Sequence, residues 1–523
     1  MLRHLSEADG PVSVEADVAI VGAGIAGLIL ASRLARSGIK TVVLESGEAR
    51  QDREVHPLNE VESTASPYHG ATIGRSRGLG GTSTRWGGAL LPFPSDDLAE
   101  RPELGLPAWP VGYCELMRYL SEVERLFGLA PGPYEARLPP DVAARAGSAP
   151  AFVAREAKWP AFKRRNVAAL LRKDIESKAL TVWLGATVCD FALATESGRV
   201  AALTARGNGL HPLRVAARRF VIAAGAIEST RLLLLLERAG GHMDGRSRLG
   251  RAFQDHLSAP LATVETDDPR ALNRLAGFRF EGSMMRSLRF DFAPSARRAA
   301  GAPAGFVHIA PHPLQPTGFH AVREFVRSIQ RARPDPWAAA RILSDAPYLA
   351  KLSAWRYGRR QLYWPRPSLY EVHCVVEQTP HENNCITLSE RLDTFGQPLA
   401  RINWQVNEAD ANAFRVLSGA FNAYWNKGLS PYGRLVWRVA PHALGIADLS
   451  EAGDIYHPVG TTTMGRNPDE GVVDGDLRVF GVPNVFVAAT STFPAGGTSN
   501  PTMMLAMFVL RLADRLKAER EPS

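Results

Sequence analysis

Cysteine is scarce in this chain. Four thiols in 523 residues, Cys114, Cys189, Cys374 and Cys385, lie far apart and form no C-x-x-C pair. That argues against a disulfide framework and a zinc site, and predicts free thiols in a reducing, cytoplasmic compartment with no metal. Long apolar runs are missing too. The best candidate, Leu232 to Leu236, is bounded by Arg231 and Glu237 and is far short of the ~20 residues a membrane span needs. The opening MLRHLSEADG has no apolar core, so no signal peptide is expected. Basic residues exceed acidic ones, 61 to 53, but they are spread along the chain with no nucleic-acid-binding module, so nucleic acid is not an expected partner. There is no internal repeat, and no low-complexity tract beyond Ala/Pro-rich linkers.

What is present is ordinary globular composition, 45% hydrophobic and 22% charged, in a chain long enough for two domains. The organising stretch is Asp17 to Glu45. An apolar run, Val18 to Val21, leads into Gly22, Gly24 and Gly27 in G-x-G-x-x-G spacing. Leu28, Leu30 and Leu34 then follow a helical pattern that Gly38 ends, and Thr41 to Leu44 is a second strand closed by Glu45. This strand–turn–helix–strand order, with an acid about twenty residues past the glycines, is the fingerprint of a dinucleotide site. Gly22 allows the tight turn, Gly24 lets a pyrophosphate approach bare backbone at the helix start, and Gly27 lets helix and strand pack closely. Ile25 and Ala26 open the helix. Glu45 is expected to accept ribose hydroxyls, with Ser46 beside it. The glycines alone do not separate NAD from FAD.

Residues 1–15 read as a loose arm, Ser46 to Pro67 as a long loop, and 131–160 as a segment crossing the surface. Gly74 to Gly88 is rich in glycine and small hydroxyl residues around Arg77, Gly80, Gly81, Thr82, Ser83, Trp86, Gly87 and Gly88. It predicts a backbone-rich loop on which a flat ligand lies, with Trp86 covering something. Strands are expected at Leu180–Leu184 and Val200–Ala205, and around Val188. Phe220 to Arg231 repeats the opening logic: a buried strand runs through Ala224 into Gly225, and a helix carrying Glu228 begins. His256, alone, reads as a structural histidine. Beyond 262, alternating stretches such as Tyr370 to Val376, Cys385 to Leu388 and Ala400 to Trp404 predict an antiparallel sheet, and Ala409 to Asn426 a helix. Val322, Phe325, Val326 and Ile329 share one helical face near Arg323, Arg327, Arg331 and Arg333, and Trp355 to Arg360 continues that basic-aromatic theme.

At the C-terminal end, Tyr456-His457-Pro458-Val459-Gly460 is a loop and Val485 to Ala489 a buried strand. Asn500 reads as the N-cap, and Pro501 as the first residue, of a helix through Thr502, Leu505, Phe508 and Leu512. Three motifs in this order, GAGIAGLILASRLARSG…VVLESG, GLGGTSTRWGG and YHPVGTTTMG…TSNPTMMLAMFVLRLAD, resemble the glucose–methanol–choline (GMC) family of flavoproteins. Phe220 to Arg231 and Gly250 to His256 resemble family segments as well, whereas 262–450 does so only loosely.

That resemblance implies an α/β fold: a discontinuous Rossmann-like FAD-binding domain, 15–261 and 452–520, with an α+β substrate domain, 262–451, built on an antiparallel sheet. It implies FAD rather than NAD, and oxidation of an alcohol by hydride transfer to flavin N5. His457 matches the family's catalytic histidine and Asn500 its partner. The GGTSTRW loop is similar to that of pyranose-oxidising members, which implies a sugar or glycoside ring hydroxyl taken to a ketone. Some of those members attach FAD through a histidine where this chain has Arg85, so the FAD is expected to be non-covalent. The electron acceptor is O₂, or a quinone or carrier protein if the enzyme is a dehydrogenase acting on another alcohol. Oligomeric state is not indicated.

Overall fold

The computed structural model describes residues 1–50, 56–147, 150–194, 197–209, 211–315, 318, 321 and 336–519. Its first sheet is mainly parallel. In spatial order it contains Leu2–His4, Leu180–Leu184, Thr41–Leu44, Val12–Val21, Leu213–Ile222, Val200–Arg206 and Thr187–Leu193. Val485–Val487 pairs in parallel with the end of Leu213–Ile222, from Phe220 to Ile222. The central strands are buried runs of Val, Ile and Ala, as a sheet covered on both faces requires. Helix Ile25–Arg36 follows the glycine turn and packs against the last helix, Thr502–Ala518.

The second sheet is antiparallel: Arg279–Glu281, Met284–Phe292, Gly305–Pro313, Ser368–Glu377, His256–Glu265 and Arg434–Trp437, with Phe152–Trp159 on Met284–Phe292 and Gly453–Asp454 on His256–Glu265. Helix Glu408–Tyr424 covers one face, burying Phe414, Leu417 and Phe421 with Val307, Val372, Cys374 and Val376. The opposite face carries polar residues: His256, Arg289, His308, His373 and Glu377.

The structure corrects several expectations. The arm at 1–15 is ordered, because Leu2–His4 pairs with Val182–Leu184 and Val12 onward pairs with Leu213 onward. The segment 131–160 contributes Phe152–Trp159, a largely buried strand of the second sheet. Cys385–Leu392 and Pro398–Asn403 leave that sheet and form a separate three-stranded one with Val61–Ser63, a strand inside the expected long loop. The final helix begins at Thr502, with the Pro501 carbonyl accepting its first backbone bond from Leu505, so Asn500 lies outside it and makes no cap bond. The helical face expected at Val322, Phe325, Val326 and Ile329, with Arg323, Arg327, Arg331 and Arg333, lies outside the described residues. Of the neighbouring basic-aromatic stretch, Arg356 stacks on Phe280 at 3.9 Å and Arg359 on Trp355 at 5.1 Å.

Candidate active site

A cavity of about 690 Å³ runs from the glycine turn to the C-terminal loops. Its walls include Gly22, Gly24, Ile25, Ala26, Glu45, Ser46, Arg77, Gly81, Thr82, Trp86, Gly87, Gly88, Val188, Ala224, Gly225, Glu228, His457, Ala489, Asn500, Pro501 and Thr502. Most of the residues singled out in the sequence are therefore brought together. Gly27, Gly80 and Ser83 stand behind the wall. A Cβ on Gly27 would meet the Gly22 carbonyl oxygen at 1.9 Å, so its role is the close packing of helix on turn. Gly80 donates its N–H to Ala23, and the Ser83 hydroxyl accepts the N–H of Val167. Both tie the second glycine loop to the rest of the fold.

The cavity tests the fit of a flavin dinucleotide. A Cβ added to Gly24 or Gly225 would meet nothing within 4 Å, so both face open space, whereas one on Gly22 would strike the Ala223 carbonyl at 2.6 Å. Bare backbone is thus presented to the cavity at two strand–helix joints, where a pyrophosphate needs it. The Glu45 carboxylate is 5% exposed and accepts the backbone N–H groups of Ala23, Gly47 and Gly78 at 2.8, 2.9 and 2.9 Å. It borders the cavity while locking the glycine turn to both neighbouring loops. Arg77 donates to Ser46 Oγ, Asn59 Oδ1 and the Leu58 carbonyl, and to Glu228 at 2.7 Å. Burial would raise the Glu228 carboxyl, but Arg77, Arg231 and Arg75 hold it at about 2. Arg75 and Asn59 belong to this network and line the cavity, and nothing in their local sequence marks them. Trp86 donates its indole N–H to the Arg165 carbonyl at 2.9 Å and packs edge-on against Phe127, so one side of the ring is held while the residue borders the cavity. Arg85 is exposed at the same wall.

At the other end, Asn500 Nδ2 lies 3.0 Å from His457 Nε2. Tyr456 adopts φ +66°, an unfavourable backbone for a non-glycine residue. That turn aims the His457 N–H at Asp255, which accepts it at 2.9 and 3.0 Å and also accepts the Tyr68 hydroxyl. Burial pushes the Asp255 carboxyl up to about 8. Burial, then the neighbouring His256 and Arg289, pushes the His457 ring well below its ordinary 6.5, so it is neutral at neutral pH. Asn500 is placed by the preceding loop. Gly497 N–H donates to Glu377 at 2.7 Å, Thr498 N–H to Asp97 at 2.6 Å, and Arg289 to the Thr498 carbonyl at 2.5 Å. Glu377 is in turn bidentate with Arg101 at 2.6 and 3.0 Å; burial would raise its pKa, but Arg101 holds it at about 2. A neutral imidazole with a carboxamide against it, open to a cavity, can accept a hydroxyl proton while the amide holds the hydroxyl oxygen.

Residues 380–508 match the family model described as GMC oxidoreductase, and residues 15–55 match that described as FAD binding domain. The chain is thus similar to the GMC oxidoreductases, through its C-terminal stretch and through relatives aligned along most of its length. It is an FAD-dependent enzyme acting on alcohols. It is 24% identical to the 2-methyl-1,2-propanediol dehydrogenase of Mycolicibacterium austroafricanum, over 96% of this chain and 95% of that one. It is 25% identical to the paromamine 6'-oxidase of Streptomyces fradiae, over 95% of this chain and 90% of the relative. Pyridoxine 4-oxidase from Mesorbium loti shares the fold, with a TM-score of 0.63 at 18% identity, over 97% of this chain and 100% of that one. Among the described residues no helix is long and apolar enough to cross a membrane.

Proposed function

We propose that the enzyme oxidises a ring hydroxyl of a sugar or glycoside to a ketone, with His457 as the base and Asn500 as the residue that orients the hydroxyl. The observation that carries the roles is the 3.0 Å contact between Asn500 Nδ2 and His457 Nε2 at the cavity wall. An alcohol carbon releases a hydride readily only as its hydroxyl proton leaves, and a neutral imidazole is matched to that proton. The glycine turn, the Arg77–Glu228 network and the start of helix Thr502–Ala518 line the cavity and would hold FAD, which when bound would supply the hydride acceptor. The N-terminus of that helix borders the cavity and favours negative charge developing there. Arg85 offers no nucleophilic ring nitrogen for a covalent link, which supports non-covalent FAD.

The sugar assignment is supported by the similarity of the GGTSTRW loop to pyranose-oxidising members and by the relative named for paromamine. The relative named for 2-methyl-1,2-propanediol supports a second reading, a dehydrogenase of a small diol that passes electrons to a quinone or carrier. Mixing the enzyme with pyranoses, glycosides, diols and simple alcohols without oxygen, and following flavin bleaching, separates the two. Bleaching by a pyranose is expected. Bleaching by short diols or simple alcohols, with none by any sugar, would overturn the sugar reading. Repeating the positive reactions with O₂ and then with a quinone assigns the acceptor.

A further inference from the structure

We infer that His256 is a positioning residue that fixes which nitrogen of His457 is bare. The inference rests on His457 as the proton acceptor, and it follows from a chain of contacts with one consistent assignment of protons. His256 Nε2 lies 2.7 Å from the Gly497 carbonyl oxygen. A carbonyl only accepts, so Nε2 of His256 carries a hydrogen. The ring is 1% exposed, a setting that disfavours a second proton, so its Nδ1 is a lone-pair acceptor. His457 Nδ1 faces that atom at 3.3 Å, with the two rings nearly perpendicular at 88°. Two facing ring nitrogens need one hydrogen between them, and it must come from His457. A neutral imidazole has only one N–H, so His457 Nε2 is left bare, and this is the atom that meets Asn500 at the cavity.

The template is rigid at each link. Gly497 sits at φ +68°, where a side chain would meet the Phe93 ring at 2.5 Å, and its N–H is held by Glu377. Asp255 accepts the backbone N–H of both His256 and His457, at 2.6 Å for the first, so one carboxyl group sets the separation of the two rings. A free imidazole would place its proton on Nε2 much of the time, and in that form it could not receive a hydroxyl proton at the cavity. The neutral acceptor at His256 removes that form without adding a negative charge beside the ring. After transfer, the Nδ1–H to His256 bond is retained, so the imidazolium stays oriented and no second proton moves.

Isosteres separate this role from simple packing. In His256→Asn the carboxamide can place an oxygen where Nδ1 lies, and in His256→Gln it can place a nitrogen where Nε2 lies. With FAD bound and an alcohol that bleaches the flavin, His256→Ala and His256→Gln are expected to lower the limiting rate of anaerobic reduction about tenfold or more, with little change in half-saturating alcohol. His256→Asn should stay within about threefold of wild type. Rescue by Gln but not Asn, or a wild-type rate in His256→Ala, would overturn the inference and make His256 a packing residue. Independently of turnover, ¹⁵N-histidine NMR of the wild-type holoenzyme, with the His457 signal assigned through its loss in His457→Gln, should show the Nδ1–H tautomer. An Nε2–H tautomer there would refute the inference whatever the variants do. If the tautomer is as stated but His457→Ala reduces flavin at the wild-type rate, the base assignment fails and the His256–His457 geometry stands.

Discussion

At the scale of single residues, the His457 ring, as the proposed base, is expected to set the pH behaviour. His256, Arg289 and the backbone-bound Asp255 surround it, and burial with the first two favours the neutral form. The rate of flavin reduction should therefore rise along an acid limb whose midpoint lies below 6.5 and be flat through neutrality; a midpoint at or above 7 would contradict this. Buried Glu228 behaves in the opposite sense to the histidine. It is held at about 2 against an ordinary 4.5 by three arginines, as Glu377 is by Arg101. A carboxyl with a depressed folded pKa stabilises above its unfolded value and loses that contribution as pH falls. Denaturant midpoints should thus drop as pH falls from about 4.5 toward about 2. Glu228→Gln should remove about 3–5 kcal/mol at neutral pH by leaving Arg75 and Arg77 without their acid partner, while Arg231 keeps Asp393; equilibrium unfolding at saturating FAD checks it, and a loss below ~1 kcal/mol would show that solvent reaches the cluster.

At the scale of elements, Gly24 and Gly27, three residues apart, make a clean comparison. Gly27→Ala puts a methyl 1.9 Å from the Gly22 carbonyl, while Gly24→Ala points one into open cavity. Gly27→Ala is expected to cost about 1–3 kcal/mol of stability through overpacking. Gly24→Ala should leave stability within ~1 kcal/mol and weaken FAD binding at least tenfold, as read by flavin fluorescence titration; equal affinities for the two proteins would show that the cofactor does not approach that turn. These elements were legible because their signals are local: the apolar strand, the glycine spacing and the helical periodicity all lie within Asp17 to Glu45. What the sequence concealed depends on distant pairing. Nothing in Leu2–His4 announces that Val182–Leu184 will pair with it, or in Cys385–Leu392 that its sheet is shared with Val61–Ser63. Asn500 read as a helix cap because Asn-Pro before an apolar run has that chemistry; its amide is instead engaged by His457, 43 positions earlier. Asn500→Ala should consequently slow flavin reduction with little change in stability, whereas a lost cap would cost about 1 kcal/mol.

At the scale of the whole molecule, the site exists only where both sheets meet. The glycine turn belongs to the first sheet, His256 to the second, and His457 and Asn500 to loops near the C-terminal end that run between them. The sequence showed His457, Asn500 and the glycines because they sit in recognisable motifs. It hid the joining contacts, Arg101 with Glu377 and His256 with His457, because those partners are separated by hundreds of residues. Non-covalent FAD is expected to separate into the supernatant when the holoenzyme is denatured in acid, and flavin remaining in the pellet would show a covalent link. The central claim is that one neutral histidine at this junction removes the hydroxyl proton. Anaerobic stopped-flow reduction of FAD-loaded His457→Ala tests it directly. The account predicts a rate about 10² to 10⁴ below wild type with FAD still bound and the acid limb gone; a near-wild-type rate at neutral pH would contradict it.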